Sequence, residues 1–246
     1  MVGHHRSRFQ LIALAAAAKM ILSVDVVAQP QALDGPVLIN QDAALAGGIT
    51  PGDEPGFPIS ITREGSYRLA GNIRTTAAND LTLPVILILA DNVTLDLMGF
   101  VIEGPCVGTF QPTPCSSLQT PYAAVFATGI NTAIVNGVVR GTIGPGVQIH
   151  QGRIEGMLVQ YNRGGGIDAF VDSRVARNIV HHNGGHGIHC NDCIVEGNTV
   201  MWNSGSALTG ARSAYVSNIF AFNGGVVSAD ALKQLGGNIC GSRACP

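Results

Sequence analysis

The sequence predicts an all-β fold of the solenoid class, a parallel β-helix in which each coil of chain stacks on the previous coil. Segments of 20 to 21 residues repeat near the C-terminus, and this period is typical of stacked repeats. Glycine makes up 32 of 246 residues and charged residues only 12%, which favours strands and tight turns over surface helices. Two asparagine columns recur at intervals of 20: Asn178, Asn198 and Asn218, and Asn183, Asn203 and Asn223.

Residues 1–28 are interpreted as an export signal. A basic start that includes Arg8 precedes a short apolar run, and Val26 and Ala28 form a small-residue cleavage site before Gln29. The alternative is an N-terminal helix that frays. The apolar run is too short to span a membrane, and no later stretch is long enough.

The six cysteines fall into three close pairs. An even set with short spacings is typical of local disulfides formed in an oxidising compartment. The spacing leaves the connectivity open. The pairs are Cys106 with Cys115, Cys190 with Cys193, and Cys240 with Cys245.

The coils are predicted over residues 59–227. Before them, residues 29–58 predict an irregular N-terminal segment and cap, because glycine and proline recur there and mark turns. Two short strands flank the turn at Gly65. Residues 85–103 alternate between apolar and polar side chains, which is the period of a strand.

Two further segments interrupt or end the coils. Prolines and the first cysteine pair predict an excursion loop over residues 104–121, after which the coils resume at Ala123. Residues 228–246 predict a C-terminal cap that contains a short helix and a cysteine clasp. A cap is required because an open coil end exposes strand edges and core.

Apolar residues align in columns when the repeats are superimposed. Parallel strands lie about 4.8 Å apart, so such columns predict continuous ridges of core. The asparagine columns are interpreted as structural, with amides at coil corners bonding to one another and to the turn backbone. The apolar columns are Val147-Ile167-Ile188-Leu208, Ile154-Val175-Val195-Tyr215 and Val180-Val200-Phe220.

Two stretches carry a resemblance to a known family. The rhythm Asn-x-Val-x-x-Asn-Gly-Gly-x-Gly-Ile over 178–188 and the segment ADNVTLDLMGFVIEG over 90–104 resemble right-handed parallel β-helix proteins of the pectate-lyase-like superfamily. The resemblance covers about residues 59–227 and implies a right-handed helix of about eight coils. Residues 43–72 are similar to the leader of exported bacterial members, which implies a secreted or periplasmic bacterial protein.

The superfamily implies work on carbohydrate. Many members are lyases, hydrolases or epimerases of acidic polysaccharides, and others are non-catalytic surface and adhesion proteins, so the fold leaves both functions open. Pectate lyases bind calcium through clustered carboxylates and remove a proton with arginine. Asp168, Asp172 and Asp192 match that pattern loosely, with Arg174 and Arg177 close by. Calcium is therefore the candidate cation.

A second motif of the superfamily is incomplete in this chain. Polygalacturonases carry Gly-His-Gly, which recurs here at 185–187. Their paired aspartate one coil earlier is absent, because that column position before His186 is Gly165. The ordinary turn of the repeat also produces the tripeptide whenever its variable residue is histidine.

The alignment itself predicts a candidate catalytic surface. Asp168 and His189 follow the inward Ile167 and Ile188, so both side chains face outward on adjacent coils. Contact between them would raise the pKa of His189 and make it a proton-transfer group. His186, Asp172 and Arg174 complete the candidate catalytic set. The alternative is a solvated polar ladder: Gln148, Asp168, His189, Thr209.

Histidines and cysteines also cluster between residues 181 and 193. His186, His189, Cys190 and Cys193 are ligand types for zinc. A disulfide between the two cysteines is the simpler interpretation in an exported protein, and no metal site is predicted.

A column of rings offers candidates for substrate binding. His182 shares its column with Trp202 and Phe222, which form a core stack if they face inward and a platform for sugar if they face outward. His181, Trp202 and Arg177 are the candidate substrate-binding residues.

Two functions follow from these observations. In the first, the protein is a polysaccharide lyase or a related enzyme that removes the proton α to a uronate carboxylate, while a cation or arginine stabilises the enolate. In the second, the same face binds glycan without catalysis. The net charge of −2 provides no basic field for nucleic acid.

Overall fold

The computed structural model describes residues 35–76, 83–106, 122–228, 232–241 and 243–245. Residues 33–246 form one compact unit. The predicted export signal lies outside the described residues, as do residues 107–121 of the predicted excursion loop. In the described part of the chain, no helix is long and apolar enough to cross a membrane.

The described residues are almost entirely β-strands, with one short helix. The first strands and the helix are β1 (Val37–Ile39), α1 (Gln41–Ala46), β2 (Ile59–Ile61), β3 (Gly65–Leu69), β4 (Ile73–Arg74), β5 (Ile86–Ile88), β6 (Val93–Asp96), β7 (Val101–Glu103), β8 (Val125–Ala127) and β9 (Thr132–Arg140). The middle strands are β10 (Val147–Ile149), β11 (Gly152–Gln160), β12 (Ile167–Ala169), β13 (Ser173–Ala176), β14 (Ile179–His181), β15 (Ile188–Asn191), β16 (Cys193–Glu196) and β17 (Thr199–Met201). The last strands are β18 (Ser206–Ala211), β19 (Ala214–Val216), β20 (Ile219–Ala221), β21 (Gly225–Ser228), β22 (Lys233–Gln234), β23 (Ile239–Cys240) and β24 (Arg243–Ala244).

The strands form two sheets, one of sixteen strands and one of eight. The eight-stranded sheet runs β2-β5-β8-β10-β12-β15-β18-β21. The sixteen-stranded sheet bends, since the long strand β11 pairs with both β13 and β14. The chain passes from one sheet to the other and returns one coil further on, with each strand parallel to its equivalent. This arrangement is the predicted parallel β-helix.

The predicted apolar columns are confirmed by the strand register. Ile167 pairs with Ile188 and Ile188 with Leu208, and all three side chains are fully buried. The other two columns are also in register and buried. Like residues therefore stack on like residues along the whole core.

The asparagine columns form two buried hydrogen-bonded ladders. In each step the Oδ1 atom of one asparagine accepts from both the backbone N–H and the Nδ2 of the asparagine one coil earlier, as between Asn178 and Asn198 at 2.9 and 3.0 Å. The Nδ2 of Asn178 also donates to the carbonyl of Ile154. Asn162 and Asn238 extend the ladders beyond the predicted residues.

The N-terminal cap is more regular than predicted. Residues 29–58 were expected to be irregular, but β1 pairs with β3, and α1 follows β1 directly. The Oδ1 atom of Asn40 accepts from the N–H of Ala43 at 2.8 Å, which caps the helix start. Gly47 ends the helix with a φ of 72°. Ala44 packs into the core.

The predicted short helix in the C-terminal cap is wrong for the described residues. Residues 232–241 and 243–245 contain β22, β23 and β24 instead. β23 continues the column of β20, because Ile239 and Cys240 pair with Ile219 and Phe220. The predicted Cys240–Cys245 disulfide is present.

Candidate functional site

The eight-stranded sheet presents a polar column on its outer face. Asp168 pairs with Gln148 on one side and with His189 on the other, and His189 pairs with Thr209. These residues alternate with fully buried isoleucines, so the period of two directs their side chains outward. The predicted register of this column is confirmed.

The carboxylate of Asp168 contacts His186 rather than the predicted His189. The distance from Asp168 Oδ1 to His186 Nε2 is 2.5 Å. A carboxylate only accepts, so Nε2–H donates and the Nδ1 atom of His186 carries the lone pair. The side chains are 14% and 28% exposed, which leaves the pair accessible from solvent.

Gly165 makes this contact possible. The turn between β14 and β15 carries His186 across the chain of the preceding coil, where its ring lies over Gly165. A Cβ atom at position 165 would lie 2.4 Å from His186 Nε2, which is closer than real Cβ atoms approach. The glycine that argued against a polygalacturonase motif therefore has a role: it provides the space for the imidazole.

His189 is held in one neutral tautomer. The Oδ1 atom of Asn191 accepts from the N–H of Ala211 at 2.8 Å, so Nδ2 of Asn191 faces His189 Nε2, at 2.9 Å. Nε2 therefore accepts, and the ring proton resides on Nδ1, which lies 3.0 Å from Thr209 Oγ1. Neither nitrogen is available as a base.

The predicted rise in the pKa of His189 is wrong. Burial lowers the pKa of this imidazole below its ordinary value. The charge of Asp168 acts in the opposite direction but is the smaller effect, and His186 adds to the lowering. Burial prevails because Asp168 makes its short contact with the other histidine.

The predicted arginines lie on the other sheet. Arg174 projects from β13 and forms an ion pair with Glu196, and Arg177, in the following turn, forms one with Glu155. The hydrogen bond from Arg177 is the main cause that lowers the pKa of Glu155. Both guanidinium groups are therefore engaged with glutamates and do not join Asp168.

The predicted carboxylates are also separated. Asp172 lies in the turn after β12, where Oδ2 accepts from Gln151 at 3.4 Å. Asp192 is bound by Arg212 through two hydrogen bonds of 2.6 and 2.5 Å. Within the described ranges, no group of three or more histidine, cysteine, aspartate or glutamate side chains is placed to hold a metal ion.

The cysteine pairing removes the zinc alternative. Cys190 and Cys193 form a disulfide, as expected, so neither sulfur is available as a thiolate ligand. Cys106 is disulfide-bonded, and its predicted partner, Cys115, lies outside the described residues.

The ring column faces outward from the sixteen-stranded sheet. Trp202 stacks on Phe222 with centroids 4.3 Å apart and on His182 at 6.0 Å. Tyr161, which the alignment missed although it lies 21 residues before His182, extends the stack. Trp202 is 47% and Phe222 71% exposed. All four residues have a positive φ of 54–58° at the corner of the coil.

His181 lies beside this column at the end of β14. Its Nδ1 atom is 2.7 Å from the Nδ1 atom of His182. Burial lowers the pKa of His181, and the neighbouring His182 lowers it further. His181 and Trp202 are close to each other as candidates for binding, but they do not lie on the strand that carries Asp168.

Two aromatic residues missed by the sequence reasoning lie beside the polar column. Phe126 pairs with Gln148 one coil earlier on the same outer face. Its ring packs against Tyr122, with centroids 5.1 Å apart. Phe170 packs on His189 at 5.6 Å. Position 126 lies 22 residues before Gln148, so a less strict period would have found it.

Comparison with known proteins finds similarity in structure only. No protein-family model matches the sequence, and no curated protein matches it. The mannuronan C-5 epimerase AlgE4 A-module of Azotobacter vinelandii is similar, with a TM-score of 0.49, 17% identity, and coverage of 69% of this chain and 50% of that one. The periplasmic alginate epimerase AlgG is similar, with a TM-score of 0.32, 12% identity, and coverage of 72% and 69%. This chain thus spans half the length of the AlgE4 A-module, and its β-helix assignment rests on its own strand pairings.

Proposed function

We propose that the protein is a polysaccharide-active enzyme that removes the proton α to the carboxylate of a uronate residue. The observation that carries the proposal is the 2.5 Å contact between Asp168 and His186 on the accessible outer face. Asp168 accepts the Nε2–H and fixes the orientation of the ring, and Nδ1 of His186 acts as the general base. The carboxylate then stabilises the imidazolium that forms.

The neutral state of His189 supports this assignment. Its ring centroid lies 5.6 Å from that of His186. A second positive charge at that distance would oppose protonation of the base, whereas the neutral imidazole held by Asn191 and Thr209 does not. His189 is therefore a positioning residue in the proposal, and His186 is the catalytic residue.

The surroundings suit a polymer of sugars. The column from Phe126 to Thr209 spans four strand spacings, or about 19 Å, which accommodates several sugar residues in a row. Phe126 provides an apolar surface for a ring face, and Gln148 provides a hydrogen-bond donor. The enolate still requires a cation, and calcium is the candidate that the test includes.

The test measures exchange of the substrate proton with solvent. The protein is incubated in D₂O with a panel of uronate polymers, with and without calcium. The panel includes alginate, because the AlgE4 and AlgG titles name mannuronan and alginate. Deuterium incorporation at the carbon α to the carboxylate is followed by NMR, and absorbance detects unsaturated products. Exchange with elimination indicates a lyase, and exchange without it indicates an epimerase.

Variants separate the base from its surroundings. His186→Gln and Asp168→Asn are expected to lower the exchange rate at least about 100-fold, as for loss of a general base. His150→Gln, which changes an exposed histidine on the same sheet, is the matched control and should leave the rate unchanged. Exchange that persists in His186→Gln would refute the proposal, as would no exchange with any polymer.

A non-catalytic glycan-binding module is the second candidate. The exposed rings beside and beyond the polar column favour it, because aromatic faces bind sugars without any chemistry. Retention of a polymer with no solvent exchange, and loss of that retention in Phe126→Ala, would support binding over catalysis.

A further inference from the structure

We propose that His181, His182 and Met201 form a copper-binding site on the outer face of the sixteen-stranded sheet. The two imidazoles converge through the same kind of atom, with Nδ1 of His181 2.7 Å from Nδ1 of His182. All three side chains are partly exposed, so an ion can reach them. The site lies on a different sheet from Asp168 and does not depend on the proposed enzymatic function.

The separation of the two nitrogens restricts the metal. Imidazole nitrogens bind first-row metals at about 2.0 Å. Two nitrogens 2.7 Å apart, each at that distance from one ion, subtend an angle of about 85°. This angle is close to the right angle of tetragonal Cu(II) or Ni(II) sites and well below that of tetrahedral zinc.

Met201 then selects copper over nickel. Met201 is the strand partner of His181, so the two side chains leave the same face of adjacent coils, about 4.8 Å apart at their Cα atoms. A thioether is a soft ligand that favours Cu(I), while imidazole suits either oxidation state of copper. The column neighbours on either side are Gln160 and Ala221, so the donors remain imidazole and thioether.

Binding requires only a change of tautomer. In the metal-free pair, one Nδ1–H donates to the lone pair of the other Nδ1. When copper binds, that proton leaves Nδ1 and the same ring takes a proton at Nε2, so both rings stay neutral and both Nδ1 lone pairs point to the ion. No oxidant or reductant is needed.

The chain contains its own reporter for this site. Trp202 is the single tryptophan, and its ring stacks on that of His182 with centroids 6.0 Å apart. Cu(II) bound at His182 should therefore quench the emission of Trp202. The full chain is titrated with Cu(II), and every protein carries His4→Ala and His5→Ala, because a histidine near an N-terminus can chelate copper alone.

The expected result is saturable quenching with one copper per chain. His182→Phe, which keeps a ring in the stack, and His181→Leu should each weaken Cu(II) binding at least tenfold. His150→Ala, at an exposed position, should leave it unchanged. Met201→Leu should weaken Cu(I) binding at least tenfold, measured by competition with a chromophoric Cu(I) chelator.

Three outcomes would overturn the proposal. Quenching that rises without saturation would indicate nonspecific contact with the ion. Equal affinity of the parent protein and His182→Phe would place copper elsewhere, and circular dichroism of this variant establishes that it is folded. Displacement of copper by an equal concentration of zinc would contradict the angle argument.

Discussion

At the scale of single residues, Gly165 controls the contact between His186 and Asp168. A Cβ atom there would lie 2.4 Å from His186 Nε2, so Gly165→Ala should push the imidazole away from the carboxylate. The ring is the mobile end of a side chain and can move, so the fold should survive. We expect solvent exchange of the substrate proton to fall about 100-fold.

Gly71→Ala is the control for this substitution. An added Cβ at position 71 would meet only Asn40 Cβ at 3.8 Å, an ordinary contact. Exchange in Gly71→Ala should match that of the parent protein. If Gly165→Ala also matched it, the contact between Asp168 and His186 would have no part in proton transfer.

The buried histidines predict a pH dependence of stability. Burial lowers the pKa of His189 and of His181 below the ordinary 6.5, so the unfolded chain binds protons more readily than the folded protein. Their contribution to stability is complete above pH 6.5 and is lost as the pH falls through that value. The free energy of unfolding, measured with urea, should decrease from about pH 7.5 to pH 5.

His189→Gln tests whether this slope comes from the assigned residue. Glutamine does not titrate, so the variant should lose less stability than the parent protein over the same interval. The interval lies above the ordinary carboxyl pKa values, which excludes the ion pairs of Glu155 and Asp192. Equal slopes in the two proteins would contradict the role of His189.

Much of the candidate site could be predicted from the sequence. The period of the repeat was sufficient to place Asp168 beside His189 in the register. The partner of the carboxylate could not be predicted, because it depends on how the turn before Ile188 directs His186 over a glycine of the preceding coil. Repeat spacing describes strands, and this contact is made by a turn.

At the scale of elements, the asparagine ladders join consecutive coils at their corners. Asn198 is almost fully buried, and its Oδ1 atom accepts twice from Asn178, while its Nδ2 atom donates to Asn218 and to the carbonyl of Val175. Asn198→Ala leaves the N–H of Asn178 without its acceptor. Unfolding should become easier by about 2–4 kcal/mol, measured in urea.

Asn131→Gly is the control for the ladder. Asn131 is exposed and has a φ of 53°, which glycine adopts without strain. Its loss should change the free energy of unfolding by less than about 0.5 kcal/mol. A similar cost for both substitutions would show that burial of the ladder does not determine its contribution.

The elements that the sequence analysis missed lie outside the repeat. Helix α1 has local signals in the sequence, with Asn40 before it and Gly47 after it. They were overlooked because a high frequency of glycine and proline predicts irregular chain. The predicted C-terminal helix is replaced by strands, since Ile239 and Cys240 continue the ladder of the preceding coil. Stacking on an existing edge prevails over local preference.

At the scale of the whole molecule, the C-terminal clasp protects an edge of the sixteen-stranded sheet. β23 pairs with β20 on one side and with β24 on the other, and the latter is the only antiparallel pairing among the described strands. The Cys240–Cys245 disulfide holds this reversal of the chain. An uncovered parallel edge would be a template for pairing with another molecule.

Removal of the clasp should cause association. We expect Cys240→Ala with Cys245→Ala to increase association with protein concentration, as measured by light scattering or sedimentation. The paired control is Cys190→Ala with Cys193→Ala, which removes a disulfide within a coil. Short closed loops of this size predict a similar loss of about 2 kcal/mol for each. Equal association of the two variants would mean that lost stability, and not the exposed edge, is the cause.

The common length of the coils determines how such a chain can change in length. Successive corner asparagines from Asn178 to Asn238 are 20 residues apart and share one geometry. A duplication of one full coil between Asn198 and Asn218 would preserve every column, whereas one extra residue within a strand would turn its core side chains to solvent. Recombination that adds or removes whole coils would therefore lengthen or shorten the polar column in steps of about 4.8 Å, and with it the stretch of polymer that the column contacts.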